Sequence, residues 1–220
     1  MSLLIALDCS AGACSVAVTD AGEPRAFERM DLVRGHAEVL MPMVERVLAD
    51  AGCTARDLEF VAATVGPGSF TGLRIGLAAA RGLALAVGAR TVPVTSLEAI
   101  AHDAGGSDLP LLVGLDTKRG DLYVQWFDPA GRPLGEPAIM EAADAVSGGA
   151  CAAFRVAGDR TDALVAAAET EGRQAEVLPS CRVPDARAVA AIAEIRLAAG
   201  GDGLLRPLYL RAPAVNLPVS

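Results

Sequence analysis

Lysine is all but missing from this chain. Lys118 is the only one in 220 residues, so any chemistry that needs a lysine ammonium has a single candidate. There are only two histidines, His36 and His102, and they stand far apart in sequence. The five cysteines (Cys9, Cys14, Cys53, Cys151, Cys181) show no Cys-x-x-Cys spacing. Neither set makes a zinc or iron pattern. An odd number of cysteines fits reduced, mostly buried thiols rather than a disulfide framework. A basic excess is also lacking. The net charge is −8, a poor electrostatic footprint for holding nucleic acid unaided. No uncharged run reaches membrane-spanning length, since even Leu77 to Val87 contains Arg81, and no membrane role is expected. The first residues have no basic segment and meet Asp8 early, which predicts no signal peptide and a place in the cytoplasm.

Apolar residues make up 52% of the chain, ample for a core of one or two lobes. The chain also echoes itself. Leu3, Leu4, Leu7, Asp8, Gly12, Val16 and Asp20 recur, at constant spacing, as Leu111, Leu112, Leu115, Asp116, Gly120, Val124 and Asp128. Each copy reads as a strand, a turn carrying Asp and Gly, and a second strand. Two such hairpins half a chain apart predict a duplicated domain. Between them, the periodicity predicts a helix from Gly35 to Ala51, with Pro42 expected to kink it and Gly52 to end it. Thr95-Ser-Leu-Glu98 is a capping box opening another helix. In the second half, helices are expected near Glu141 to Val146, Asp162 to Glu171 and Asp185 to Ala199, with a strand near Ala175 to Leu178. The division follows: 1–104 as a first lobe, 110–205 as a smaller second lobe, and 206–220 as a tail.

The most informative segment runs from Phe60 to Gly76. A buried strand enters the turn Gly66-Pro67-Gly68-Ser69, and the turn opens a helix, Thr71 to Val87, apolar on nearly every side. A soluble helix normally keeps a polar face. One surface can pack on the protein's own sheet; the other either lies inside a large lobe or meets a partner. Gly72, Gly76 and Ala80 form one small-residue line, and Gly82 and Ala86 a second. The turn fits neither a Walker loop nor a dinucleotide fingerprint, because Leu73 follows Gly72 where lysine is required and the third glycine comes one residue late. It reads as a tight turn that brings strand and helix together. Ser69 lacks the Gly-x-Ser-x-Gly elbow and reads as a helix cap. Asp8 and Asp116, with Gly12 and Gly120, occupy equivalent turns. Two readings stand side by side: a pair of loops holding a magnesium nucleotide across a cleft, or carboxylates that stabilise their own turns.

Together, Leu7-Asp-Cys-Ser10, the helix at His36, Val65 to Gly76, Leu115-Asp-Thr-Lys-Arg-Gly120 and Pro207-Leu-Tyr-Leu-Arg211 resemble the TsaB (YeaZ) family over nearly the whole chain. The resemblance implies an actin-like (ASKHA, ribonuclease H-like) duplicated two-lobe α/β fold with a reduced second lobe. It implies a non-catalytic subunit that supports TsaD in transferring a threonylcarbamoyl group to the tRNA adenosine beside the anticodon. TsaE, an ATPase, joins the pair, the subunit alone is a homodimer, and tRNA is met only through the complex. The family's older label, glycoprotease, has no catalytic counterpart among these residues. The implied partner face comprises His36, Val39, Leu40, Met43, Val44 and Val47 on the first helix, with Phe70, Leu73, Arg74, Leu77, Ala80 and Arg81 on the second. On this reading a charge at Val44 or Leu77 blocks docking and leaves the fold intact. No cofactor is expected beyond a residual capacity for ATP or ADP with magnesium at Asp8, Gly12, Asp116 and Gly120. The competing reading is an actin-like ATPase or small-molecule kinase using Asp8 and Asp116; a peptidase using Ser69 is a third.

Overall fold

The computed structural model describes residues 2–32 and 34–211. Residues 212–220 of the expected tail lie outside the described residues. The first half opens with β1 (Leu3–Asp8), β2 (Ala13–Asp20) and β3 (Glu23–Asp31), an antiparallel meander. Helix α1 (His36–Asp50), strand β4 (Leu58–Thr64), helix α2 (Phe70–Val87), strand β5 (Arg90–Val94) and helix α3 (Ser96–Ala104) follow. The second half repeats the order with β6 (Leu111–Asp116), β7 (Leu122–Phe127), β8 (Ala138–Met140), α4 (Ala142–Ser147), β9 (Ala153–Gly158), α5 (Thr161–Thr170), β10 (Gln174–Val177) and α6 (Ala186–Ala198). The sheets are β3-β2-β1-β4-β5 and β8-β7-β6-β9-β10, so the duplication extends to strand order. In each, the last two strands run parallel to the first. The second copy is reduced: α4 and α5 have 6 and 10 residues where α1 and α2 have 15 and 18.

The hairpins differ by one residue of register. Leu3 pairs with Asp20, but Leu111 pairs with Phe127, because the second turn is one residue shorter. Side chains alternate across a strand, so that slip puts the matched residues before the turn on opposite faces: Leu7 faces α1 and α2, but Leu115 faces α3. Past the turn the match holds: Val16 faces α1 and α2, and Val124 faces the corresponding pair α4 and α5. The echo therefore marks the duplication correctly, while its leucine matches before the turn are not equivalent positions.

Each repeat ends in a helix that crosses to the other sheet. Ala186, Val189, Ala190 and Ala193 of α6 pack on Leu4, Ala6, Ala62 and Val92 of the first sheet. Leu97, Ile100 and Ala101 of α3 pack on Leu111, Val113 and Leu115 of the second. This corrects the division at 104 and 110, since α6 falls in the 110–205 segment yet covers the first sheet. The chain after α6 also returns to the first lobe. Gly203 N donates to Thr91 O at 2.9 Å, Leu208 N to Val65 O at 2.7 Å, and Leu205 is buried in the α1–α2 core.

Three strands, β3, the three-residue edge strand β8 and β9, have no counterpart in the sequence expectations. β3 is a mostly exposed edge strand, so no buried face marks it. β9 contains Arg155, which breaks its apolar run; its buried guanidinium donates to the carbonyls of Ala104 and Gly105 at the end of α3. Helix α1 runs unbroken through Pro42. Pro42 is exposed, so the carbonyl that loses its partner can turn to water.

The burial pattern overturns most of the expected partner face. Leu40, Met43, Val44 and Val47 of α1, and Leu73, Leu77 and Ala80 of α2, are 0–3% exposed and pack inside the protomer. The reason is geometric: the stripe that best matches the helical period is the one the sheet takes. Leu77→Asp and Val44→Asp should therefore unfold the chain rather than spare the fold, each costing about 3–5 kcal/mol for an uncompensated buried charge. Urea denaturation followed by circular dichroism measures this; midpoints equal to the parent's would contradict the packing.

Candidate functional site

The glycine turn is built around one close approach. Ser69 N donates to Ser10 O at 2.7 Å. A Cβ on Gly68 would lie 2.2 Å from Ser10 O, and one on Gly72 would lie 2.0 Å from Cys9 O. Neither position tolerates a side chain without moving backbone. The hairpin turn of β1–β2 thus sits directly against the start of α2, where a phosphate would have to bind. Ser69 caps α2, its Oγ accepting from Gly72 N at 3.2 Å. Gly72, Gly76 and Ala80 are the line that lets the helix close on this turn and on its own sheet; they do not face outward.

Asp8 and Asp116 do occupy equivalent turns, and both brace their own turn. Asp8 is fully buried. Its Oδ1 accepts from Ser10 N at 3.1 Å, Ser10 Oγ at 2.6 Å and Thr64 Oγ1 at 2.7 Å, while Oδ2 has no hydrogen-bond partner. Burial pushes its pKa up against these hydrogen bonds. Asp116 Oδ1 accepts from Lys118 N at 2.7 Å, and Oδ2 pairs with Lys118 Nζ at 3.0 Å. Burial alone would raise Asp116, but the Lys118 ammonium and amide hold it below the ordinary value. Lys118 itself stands at φ 64°, a left-handed conformation uncommon outside glycine.

Between the lobes lies a cleft of about 900 Å³ whose walls include Gly12, His36, Asp116, Arg119, Arg182 and Tyr209. Asp8 is not among the lining residues; Gly12 and Gly120 are both exposed. A magnesium nucleotide does not fit this arrangement. One carboxylate is sealed inside, the other is already neutralised by Lys118, and backbone fills the helix N-terminus. Among the described residues no three His, Cys, Asp or Glu side chains converge as a metal site.

The remaining residues expected at a partner face have partners within the chain. His36 is buried, with Nε2 3.3 Å from Ala11 O. Phe70 packs at 5.5 Å from the Tyr209 ring, and the Arg74 guanidinium lies 3.8 Å over Phe70. Arg81 Nε donates to Leu205 O at 2.8 Å. Val39 is half-buried. What α2 leaves open keeps Phe70, Arg74 and Arg81 of the expected face and adds Ala78, Gly82, Leu85 and Ala86, Leu85 at 86%, with Ile75, Ala79 and Leu83 half-buried beside them. A Cβ on Gly82 would meet nothing within 4 Å. Helix α1 packs beside α2 and exposes Met41 and Pro42. The small-residue line of Gly82 and Ala86, visible in sequence, lies on this face.

Comparisons with known proteins bear on this architecture. The family model described as "TsaD: tRNA N6-adenosine threonylcarbamoyltransferase" matches residues 31–170, well over half of the chain. The chain belongs to this family, in its TsaB (YeaZ) group. A protein of Haemophilus influenzae called "tRNA threonylcarbamoyladenosine biosynthesis protein TsaB" is 38% identical over 101 residues, covering 46% of this chain and 42% of its own. The Escherichia coli protein of the same name is 34% identical over 122 residues, covering 54% and 52%. The chain thus spans about half the length of the curated relatives it matches. The structure of YeaZ from Pseudomonas aeruginosa superposes with a TM-score of 0.82 at 27% identity, covering 96% of this chain and 100% of that one. Component A of (R)-2-hydroxyglutaryl-CoA dehydratase from Acidaminococcus fermentans, at 11% identity and TM-score 0.53, covers 90% of this chain and 100% of that one, a likeness of fold alone. The fold of this TsaB-family chain is the actin-like duplicated α/β architecture.

The Asp8 geometry has a measurable consequence. Asp8→Ala strands three buried donors and should cost about 3 kcal/mol, while Asp8→Asn keeps the acceptor and most of the stability at pH 8. A carboxyl whose folded pKa is raised contributes most below its unfolded pKa and loses that contribution as pH rises through the interval up to the folded value. The parent should therefore gain on Asp8→Asn as pH falls from 8 toward the ordinary carboxylate range. Urea midpoints of the two proteins across this interval check it; a gap that closes on acidification contradicts a raised Asp8.

Proposed function

We propose that this chain is a non-catalytic subunit of a tRNA N6-adenosine threonylcarbamoyltransferase assembly, docking on a TsaD partner through the open stripe of α2. The observation that carries this reading is the outward line of Ala78, Gly82, Leu85 and Ala86 on a chain of this family. Small residues let a second helix come close, and close approach gives dense dispersion contact. An apolar helix face of this kind is a partner surface by default. The same face serves a second copy when the chain is alone, in the self-complementary manner of two-fold dimers. TsaE joins as the ATPase, tRNA is met through the complex, and the assembly works in the cytoplasm. No residue here acts on substrate; the chain's contribution is to hold its catalytic relative in shape.

The alternative of an ATPase or kinase finds no footing in Asp8 and Asp116, which are committed to their own turns. Isothermal titration with ATP and magnesium decides it: heat of binding that disappears in Asp116→Ala would restore that reading.

Docking is tested at positions that spare the protomer. Gly82→Arg and Ala78→Arg should keep the far-ultraviolet spectrum and fold of the parent while cutting co-purification with TsaD at least tenfold, a loss of about 1.4 kcal/mol or more. Parent-level recovery of the complex with both variants would overturn the assignment.

A further inference from the structure

We propose that Cys9 and Cys14 are a reversible modification site, a dithiol that hydrogen peroxide closes into an intramolecular disulfide. The two sulfurs lie 3.4 Å apart. The β1–β2 register explains why. Asp8 pairs with Ser15, so the next residues outward, Cys9 and Cys14, stand opposite each other at the mouth of the turn. Forming the bond requires the sulfurs to close from this separation to about 2.05 Å. The other cysteines are placed elsewhere: Cys53 follows α1, the Cys151 carbonyl accepts from Arg173, and Cys181 lies in the core under the second sheet.

Both thiols are buried in the core under α1 and α2, each within two residues of the loop Ala11-Gly12 that lines the interlobe cleft. Gly12 is exposed and has no neighbour within 4 Å of its Cβ position. Peroxide reaches the sulfurs only when the hairpin turn opens locally and breaks the Ser69 N–Ser10 O contact. The hydrogen bond from Cys9 to Cys14 favours the thiolate on Cys14 and pushes the Cys9 thiol up, which divides the roles between them.

The Cys14 sulfur attacks one peroxide oxygen, the O–O bond breaks, hydroxide leaves, and Cys14 becomes a sulfenic acid. The Cys9 sulfur then attacks that sulfur. The S–S bond forms, the S–O bond breaks, and the Cys9 proton departs with the hydroxide as water. Two thiols and one peroxide yield one disulfide and two waters, the sulfurs losing the two electrons that the peroxide oxygens gain. A dithiol reductant reverses the bridge. Its location gives it leverage. The Cys9 carbonyl abuts Gly72, and the Cys9 Cβ would lie 3.4 Å from a Cβ on Gly76. Closing the bridge therefore pins the seat of the first two turns of α2.

The test uses the folded full chain. It is treated with hydrogen peroxide, quenched, unfolded, alkylated and mapped by mass spectrometry. The expected result is a loss of two hydrogen masses before alkylation, one cross-linked peptide joining Cys9 to Cys14, and alkylation of Cys53, Cys151 and Cys181 only. Dithiothreitol should return all five sites. In Cys14→Ala the cross-link should vanish; if that variant fails to fold, the peptide map of the parent decides alone. Free Cys9 and Cys14 after peroxide, oxygen added to either sulfur in place of a bridge, or a bridge formed only in unfolded chain would each overturn the proposal.

Discussion

The contact between the β1–β2 turn and the glycines that open α2 governs the rest of the molecule. Backbone meets backbone there, with Ser69 N on Ser10 O and no room for a side chain at Gly68 or Gly72. Three consequences follow. The helix is held close enough to its sheet that Leu73, Leu77 and Ala80 are fully enclosed. The position where a phosphate could meet a helix N-terminus is filled by protein. And the hairpin loop becomes one wall of the cleft, with Asp8 drawn inward to hold Ser10 and Thr64.

In this light the two aspartate turns are variations on one device. Each carboxylate accepts from the backbone N–H two residues on, at Ser10 and at Lys118. The first is sealed and its pKa rises; the second stays near solvent and is neutralised by the chain's only lysine. Duplication preserved the turn while burial and charge diverged. Both groups are committed to the shape of their turns.

Much of this was legible in the sequence. The paired Leu-Leu-x-x-Leu-Asp strands revealed the duplication, Thr95 and Glu98 form the reciprocal cap, and Ser69 caps α2. The misses have physical causes. A helix that is apolar all round carries no sign of which stripe is inside, so Leu77 and Ala80 could be taken for the outer face when Ala78 and Gly82 hold that place. Strand β9 was hidden because the charge of Arg155 is satisfied by carbonyls distant in sequence. The register slip in the second hairpin depends on one residue of turn length, which matching side chains do not report.

The exchange of terminal helices has a bearing on how the molecule comes into being. As the chain leaves the ribosome, all five strands of the first sheet are available once Val94 has emerged. The cover for one face, however, is α6, which follows every strand of the second sheet. Leu4, Ala6, Ala62 and Val92 must wait, bare, until it emerges. The first half is consequently no independent folding unit. A nascent chain cut short before Ala186 would present a continuous apolar sheet face to whatever chaperone or neighbour reached it first.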